Sequence, residues 1–262
     1  MKTQLTFLSV VMILVAGNFI FSSCERHTSS STGWDYNNQD NGGFEYVDFI
    51  EQETGPGLVL VEGGTFSMGK VEQDVVYDWD NAPRRVTVSS FYMDETEVTN
   101  VNYREYIYWL QRVFLDYPEV MKQALPDTLV WLSKLGYNDP YMEYYFRHPA
   151  YQEYPVVGVN WKQARDFCAW RTDRVNELIM IREGLLFMDP NQQGEENFNT
   201  DAYFAGQYVG MVRDPYPDLN PNSDFRNLRM EDGILLPRYR LPTEAEWEFA
   251  ALANIGNTDV PE

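Results

Sequence analysis

Four short blocks, spaced along the chain in a fixed order, constrain its fold more than any other feature. The blocks are VEGGTFSMG at 61–69, FYMDETEVTN at 91–100, YPVVGVNW at 154–161 and YRLPTEAEWE at 239–248. Each block places turn-forming or helix-capping residues next to aromatic or aliphatic ones, which is typical of the ends of strands and helices. The blocks span most of the chain, from about Gly57 to Leu252, and therefore predict one globular domain.

In this order the four blocks resemble the formylglycine-generating-enzyme, or sulfatase-modifying-factor, domain family. The resemblance implies an α+β fold with an irregular, C-type-lectin-like architecture and much loop. In that family the last block lies near the middle of the domain. The resemblance therefore implies that residues 56–262 are the N-terminal part of a domain truncated in its C-terminal half, which carries the family's catalytic cysteines. Either the chain is a piece of a longer protein or a partner supplies the missing surface.

The first residues predict a lipoprotein signal peptide over 1–23. Lys2 precedes a mostly apolar run at 5–21, and two serines then lead into Cys24. A basic start, an apolar core and small residues before the cleavage site are typical of secretory signals. A cysteine directly after them predicts cleavage before Cys24 and a lipid on its thiol. The alternative, an uncleaved membrane anchor, fits less well because the run is shorter than the ~20 residues of a spanning helix.

Cysteine usage argues against thiol chemistry, because the chain contains two cysteines, Cys24 and Cys168. Trp161, Phe167 and Cys168 recur at helical spacing, so Cys168 is predicted on the apolar face of a helix. A nucleophilic cysteine needs a base or a positive environment to lower its pKa. We therefore interpret Cys168 as a buried structural thiol and predict no cofactor.

The charge balance excludes one class of partner. The formal net charge is −20, from 40 acidic and 20 basic residues. Nucleic acids and anionic lipid headgroups are also negative, so electrostatics predict no binding to either. The charge is compatible with a basic partner or weak binding of divalent cations, although solubility is the simpler interpretation.

The chain between the signal peptide and the domain is polar. Residues 24–55 are rich in Ser, Asn, Gly and acidic residues and are predicted to form a tether. Aromatic residues such as Trp34 and Tyr46 indicate that part of this tether packs against another surface. Within the domain, segments near 111–153 and 184–237 predict two long insertions, the first aromatic-rich and the second rich in turn-forming residues. Loops of this length are usually binding surfaces or poorly ordered.

Local patterns predict short strands at the start of the domain. Residues 58–61 are apolar and read as a strand, the glycines of 62–64 predict a turn, and 65–69 predict the returning strand. Residues 85–88 alternate in polarity and predict a further strand. After an extended piece at 91–94, Thr99 or Asn100 is predicted to cap a helix.

Asp94, Glu95 and Glu97 form an acidic cluster just before this helix. Such a cluster is compatible with a metal site. The family pattern instead implies helix-cap and core hydrogen bonds, so no metal is predicted.

The last block predicts a capping box at a helix start. Thr243 is the predicted cap, and Glu246 is predicted to reach back to it. Trp247 is then predicted to pack inward, and Trp161 in the third block is likewise predicted to face a core. The two glutamates of this block are interpreted as structural and not as an acid–base pair.

Further segments resemble one branch of the family, the gliding-motility lipoproteins of the GldJ and GldK types, and most closely the GldJ type. They are LPDTLVW at 125–131, RHPAY at 147–151 and WRTDRVNE at 170–177. This resemblance implies a non-catalytic scaffold that is lipid-anchored in the outer membrane and faces the periplasm. It also implies a role in gliding motility and type IX secretion, with other proteins of that machinery as partners.

Two other functions remain open. A formylglycine-generating oxidase would hold copper with two cysteine thiolates, and iron-dependent relatives use histidine clusters, whereas this chain offers Cys168 and His148. A surface lipoprotein that binds glycan or protein would use the aromatic insertions for stacking. Protease added to intact cells would separate a surface protein from a periplasmic one.

Overall fold

The computed structural model describes residues 27–69, 82–213 and 216–252, so the predicted signal peptide and Cys24 lie outside the described residues. These residues form two compact units. One contains 27–48 and 216–226, and the other contains the remainder. No helix within these described ranges is both long enough and apolar enough to cross a membrane.

The strands of the larger unit form an antiparallel ribbon. Strand β1 (Leu58–Val61) pairs with β4 (Phe91–Asp94), and β2 (Gly64–Met68) pairs with β3 (Arg84–Val88). The predicted hairpin between residues 58–61 and 65–69 is therefore wrong, because β1 and β2 follow each other along the same side of the ribbon.

A shared register explains this arrangement. Val61 lies opposite Phe91, and Gly64 lies opposite Val88. Two residues therefore separate β1 from β2, and two residues likewise separate β3 from β4, so the two strand pairs continue in the same register. At Gly63, inside the predicted turn, a Cβ atom would lie 2.5 Å from the carbonyl oxygen of Val88. Glycine is needed there because the two backbones approach too closely for a side chain, and not because the chain reverses.

The α-helices among the described residues all belong to the larger unit. Within the described residues they are α1 (Asn100–Val113), α2 (Pro118–Ala124), α3 (Asp139–Tyr144), α4 (Trp161–Arg182), α5 (Thr200–Phe204) and α6 (Glu244–Ala251). Separate stretches of strand and helix agree with the predicted α+β class. Short 3-10 turns lie between them at Thr128–Trp131, Pro149–Tyr151, Gly194–Glu196 and Met230–Asp232.

Side-chain caps determine where the main helices begin. Thr99 caps α1, as predicted, and exchanges hydrogen bonds with Asn102. Asn160 caps α4 in the same way, with its side-chain Oδ1 accepting from the backbone N–H of Gln163 at 3.0 Å. Such caps satisfy backbone N–H groups that the first helical turn leaves without partners.

The predicted capping box of α6 is confirmed. The backbone N–H of Thr243 donates to a carboxylate oxygen of Glu246 at 2.8 Å, and the Thr243 hydroxyl oxygen accepts from the Glu246 backbone at 3.2 Å. The Arg240 guanidinium, which donates to both carboxylate oxygens, lowers the pKa of Glu246 to about 2. Glu246 is therefore a structural anion, as the sequence analysis expects.

Two tryptophans differ from prediction. Trp247 is 63% exposed, and Phe249, two positions later, is the buried residue of α6. Residues two apart point to opposite sides of a helix, so burying Phe249 turns Trp247 outward. Trp161 is 67% exposed at the first position of α4, where the Arg165 guanidinium lies 5.2 Å from its ring centre.

Two apolar clusters form the core of the larger unit. One joins the ribbon to α6, through Phe66, Met68, Val88 and Phe249. The other joins α1, α2 and α4, through Tyr103, Tyr106, Leu110, Ala124 and Phe167. The Tyr103 hydroxyl donates to the carbonyl of Ala124 at 2.8 Å, which satisfies a polar group that burial would otherwise penalise.

The smaller unit corrects part of the tether prediction. Residues 27–48 fold together with 216–226, where strands β5 (Tyr216–Pro217) and β6 (Phe225–Arg226) pair. The Tyr36 and Tyr46 rings stack with centres 5.4 Å apart. The aromatic residues of this polar segment therefore pack on one another, and residues 27–48 are an ordered part of the fold.

Candidate functional site

The centre of the larger unit is a run of polar residues in the middle of helix α4. We call residues 171–177 the α4 polar segment. Six of its side chains bind segments that are distant in sequence: Arg171, Thr172, Asp173, Arg174, Asn176 and Glu177. The contacts of these side chains show whether they are available for catalysis or are used to hold the fold together.

Arg171 connects α4 to the ribbon. Its guanidinium forms two hydrogen bonds of 2.7 Å with the Asp94 carboxylate and one of 2.6 Å with the carbonyl of Pro56. It also lies 4.4 Å from the centre of the Tyr239 ring. Burial alone would lower the pKa of Arg171, but the hydrogen bonds and charge of Asp94 outweigh it and raise that pKa.

This contact decides the role of the acidic cluster. Asp94 forms a bidentate ion pair with Arg171, which is the core hydrogen bonding that the family resemblance implies. Glu95 and Glu97 are exposed. Among the residues that the structure describes, no three His, Cys, Asp or Glu side chains converge as metal ligands would.

Thr172 and Asp173 attach α4 to two further segments. The Thr172 hydroxyl donates to the carbonyl of Cys168 at 2.8 Å and accepts from the backbone N–H of Tyr239 at 3.0 Å. The Asp173 carboxylate accepts from the backbone N–H of Thr200 at 2.8 Å, at the start of α5. The predicted insertion at 184–237 is thus fastened to α4 by side-chain hydrogen bonds.

Asn176 makes a second attachment to the same insertion. It is fully buried, and its side chain pairs with both backbone groups of Leu236, accepting at 2.9 Å and donating at 3.2 Å. An amide that matches a backbone N–H and C=O in this way replaces one rung of a β-ladder.

Arg174 and Glu177 form a buried ion pair at 2.9 Å, with side chains 16% and 12% exposed. Gln192 donates to Glu177, and the Arg174 guanidinium lies 4.6 Å from the centre of the Trp109 ring. Burial raises the pKa of Glu177 and lowers the pKa of Arg174. Desolvation therefore opposes both charges, and the pair persists because each partner compensates the other.

Cys168 lies one turn before this segment and is half-buried. Burial raises the pKa of its thiol, although the nearby Arg171 acts in the opposite direction. A thiol with a raised pKa stays protonated near neutral pH and is a poor nucleophile and a poor metal ligand. The structure thus places Cys168 in the environment expected of a packing thiol.

A second feature lies in the first predicted insertion, where aromatic rings pack on one another. The Trp131 ring centre is 4.7 Å from that of Tyr145, and Tyr145 stacks on Tyr151 at 5.4 Å. Tyr154, whose ring centre is 5.7 Å from that of Tyr151, is 54% exposed, whereas Tyr145 is buried beneath its neighbours. We call Trp131, Tyr151 and Tyr154 the aromatic surface. An exposed ring such as that of Tyr154 has the chemistry to stack on a ligand or partner, which is the role that the sequence analysis predicts for this insertion.

Sequence reasoning missed the α4 polar segment as a site. The sequence does contain a pattern that indicates this segment. The apolar residues at helical spacing end near Cys168, and six of the next nine residues are polar. Polar residues in the middle of a 22-residue helix indicate either a solvated face or a buried polar network. The partner segments, at 192–200 and 236–239, are too far away in sequence to be identified from the pattern.

Comparison with known proteins supports the family resemblance. A family model for the sulfatase-modifying factor enzyme 1-like domain matches residues 44–258. The chain is 30% identical over 135 residues to a Bos taurus protein named inactive C-alpha-formylglycine-generating enzyme 2, an alignment covering 45% of this chain and 44% of that protein. The Mus musculus protein of the same name is 32% identical over 143 residues, covering 46% and 44%.

The formylglycine-generating enzyme of Mus musculus is also similar, at 25% identity over 142 residues. That alignment covers 45% of this chain and 36% of the enzyme. The chain therefore spans less than half the length of these curated relatives, of which two are named as inactive and one is named as an enzyme.

Proposed function

We propose that this chain, which belongs to the sulfatase-modifying factor enzyme 1-like domain family, is a non-catalytic scaffold of gliding motility and type IX secretion. In this proposal a lipid on Cys24 anchors it in the outer membrane, and the domain faces the periplasm. The signal-like pattern of residues 1–23 supports the anchor, and the gliding-lipoprotein-like segments support the process.

One observation carries the non-catalytic part of the proposal, namely that the ionisable groups at the centre of the domain are used in packing. Arg171 is bound to Asp94, Arg174 to Glu177 and Asp173 to the start of α5. An active site needs reactive groups with pKa values matched to their task and access to substrate. These groups are wholly or partly buried, and each is bound to another segment of the domain. Two similar proteins carry names that mark those proteins as inactive.

A scaffold needs rigid connections and surfaces for partners, and this domain has features suited to both. The α4 polar segment binds Pro56, Asp94 and the segments at 192–200 and 236–239 to one helix, which limits the movement of the second insertion. The aromatic surface is instead held on α1, because the Asn100 side chain donates to the carbonyls of Tyr145 and Tyr151. Exposed tyrosine and tryptophan side chains are enriched at protein interfaces because each has a large apolar body and a polar tip.

The same surface favours a second candidate, a lipoprotein on the outside of the cell that binds glycan or protein. An exposed aromatic ring such as that of Tyr154 is suited to stacking on sugar rings as well as on protein. Membrane sidedness separates the two functions. Protease added to intact cells is expected to leave a periplasmic scaffold whole, whereas cleavage in intact cells would support the surface-binding function.

Replacing Cys24 with alanine is expected to abolish lipid attachment. The only other cysteine, Cys168, lies within the folded domain and does not follow a signal sequence. The measurement is metabolic labelling with a fatty-acid analogue, followed by isolation of the protein, with Cys168→Ser as the matched control. We expect label on the wild type and the control and none on Cys24→Ala. Equal label on all three would remove the lipoprotein assignment.

A further inference from the structure

Residues 44–46 of the smaller unit show an inverted pattern of burial. The Glu45 side chain is 12% exposed and forms an ion pair with Arg226, and it also accepts from the backbone N–H of Leu219 at 3.0 Å. Its neighbours Phe44 and Tyr46 are 66% and 42% exposed. A charged side chain that points inward between two outward-facing aromatic ones reverses the usual arrangement in a water-soluble protein. The outward side of this segment is therefore apolar although the segment is acidic.

More apolar side chains lie on the same unit. Trp34 is 60% exposed and Val47 is 44% exposed. The stretch around Trp34 lies beside the stretch around Phe44, since Tyr36, two residues after Trp34, packs on the Phe44 ring with centres 5.3 Å apart. Trp34, Phe44, Tyr46 and Val47 are together called the outer apolar surface. Tryptophan and tyrosine at a boundary between apolar and polar surroundings are characteristic of membrane interfaces.

Covalent geometry places this surface near the predicted lipid. The His27 and Tyr46 rings stack with centres 5.1 Å apart. His27 is three residues after Cys24, and three residues of any conformation span at most ~10 Å. A lipid on Cys24 therefore keeps His27, and with it the Tyr46 ring, within a short distance of the bilayer that holds the lipid.

We propose that the outer apolar surface inserts into the interface of the bilayer to which the Cys24 lipid is attached, so that the smaller unit lies on the membrane. This inference rests on the proposed lipid attachment. The matching lipids have zwitterionic headgroups, because Asp40 and Asp48 are exposed on the same unit and the chain carries a net charge of −20. Anionic headgroups would repel these charges. The lipid on Cys24 and the interfacial aromatic residues then together provide the two attachments that stable membrane binding needs.

The test places a fluorescent probe on the surface in the full-length, lipidated protein. In a Cys168→Ser background, Val47→Cys carries an environment-sensitive fluorophore, and Leu135→Cys, at a fully exposed position of the other unit, is the matched control. The labelled proteins are reconstituted in vesicles of phosphatidylethanolamine and phosphatidylcholine that contain spin-labelled lipids. We expect quenching at position 47 to be at least about twofold stronger than at position 135, because inserted side chains reach ~5–10 Å into the interface.

A second variant and a mass measurement make the outcomes distinct. Combining Trp34→Ser with Phe44→Ser is expected to reduce quenching at position 47 to the level at position 135. Equal quenching at the two positions in a protein whose acyl group is present by mass spectrometry would overturn the membrane-contact surface alone. Absence of the acyl group would overturn the proposed anchor and this inference with it. Stronger quenching in vesicles of anionic phosphatidylglycerol would contradict the lipid class.

Discussion

Replacing Arg174 with methionine is expected to lower the free energy of unfolding by about 3–5 kcal/mol, because it leaves the Glu177 carboxylate buried without its partner. The side chains of both residues are mostly buried, and the guanidinium also donates to the carbonyl of Phe198. Methionine reproduces the aliphatic stem of arginine, so the change removes the charge together with the guanidinium contact to the Trp109 ring. Urea denaturation of the full chain measures the effect.

Two further variants show that the loss comes from the buried charge. Arg165→Met lies on the same helix at a side chain that is 57% exposed, and is expected to cost less than about 1 kcal/mol. The double change Arg174→Met with Glu177→Met removes both charges and is expected to recover part of the loss, since an unpaired buried charge is the main penalty. A double variant less stable than Arg174→Met would contradict this explanation.

Replacing Asn176 with alanine is expected to lower the free energy of unfolding by about 2–3 kcal/mol, because it leaves a backbone N–H and a backbone C=O of the insertion without partners. Asn176 has no exposed surface, and both of its bonds to the backbone of Leu236 are lost. The insertion is expected to detach locally, so that limited proteolysis cuts within 184–237 before the rest of the domain. Asn191→Ala, at an exposed position of the same insertion, is the matched control and is expected to be nearly neutral. Equal protease resistance of the two variants would contradict the role of Asn176.

Helix starts were predictable because their chemistry is local. Each cap and its partner are three residues apart, Thr99 with Asn102 and Thr243 with Glu246. A local sequence pattern is therefore enough to identify the residues that form the hydrogen bonds. Burial within a helix was less predictable. In α6 the periodicity permits either Trp247 or Phe249 to face inward, and the choice depends on which one packs against the apolar face of β2 and β3.

Contacts between distant segments were not predictable. The ribbon required pairing β2 with β3 across the residues between Met68 and Arg84, whereas the glycines at 63 and 64 favoured a local turn. Polar residues of α4 gave no indication that their partners lie at 192–200 and 236–239. The folding of residues 27–48 was missed for a related reason, because its buried ion pair joins Glu45 to Arg226, far away in sequence.

The central claim is that this domain works as a membrane-anchored scaffold and not through thiol chemistry. It is tested most directly by measuring gliding and type IX secretion in cells whose own copy of the gene is replaced. The account predicts that deletion and Cys24→Ala abolish both processes, and that Cys168→Ser supports both at the wild-type level. A Cys168→Ser protein that is folded and lipidated but inactive in cells, or a deletion that leaves gliding and secretion intact, would contradict it.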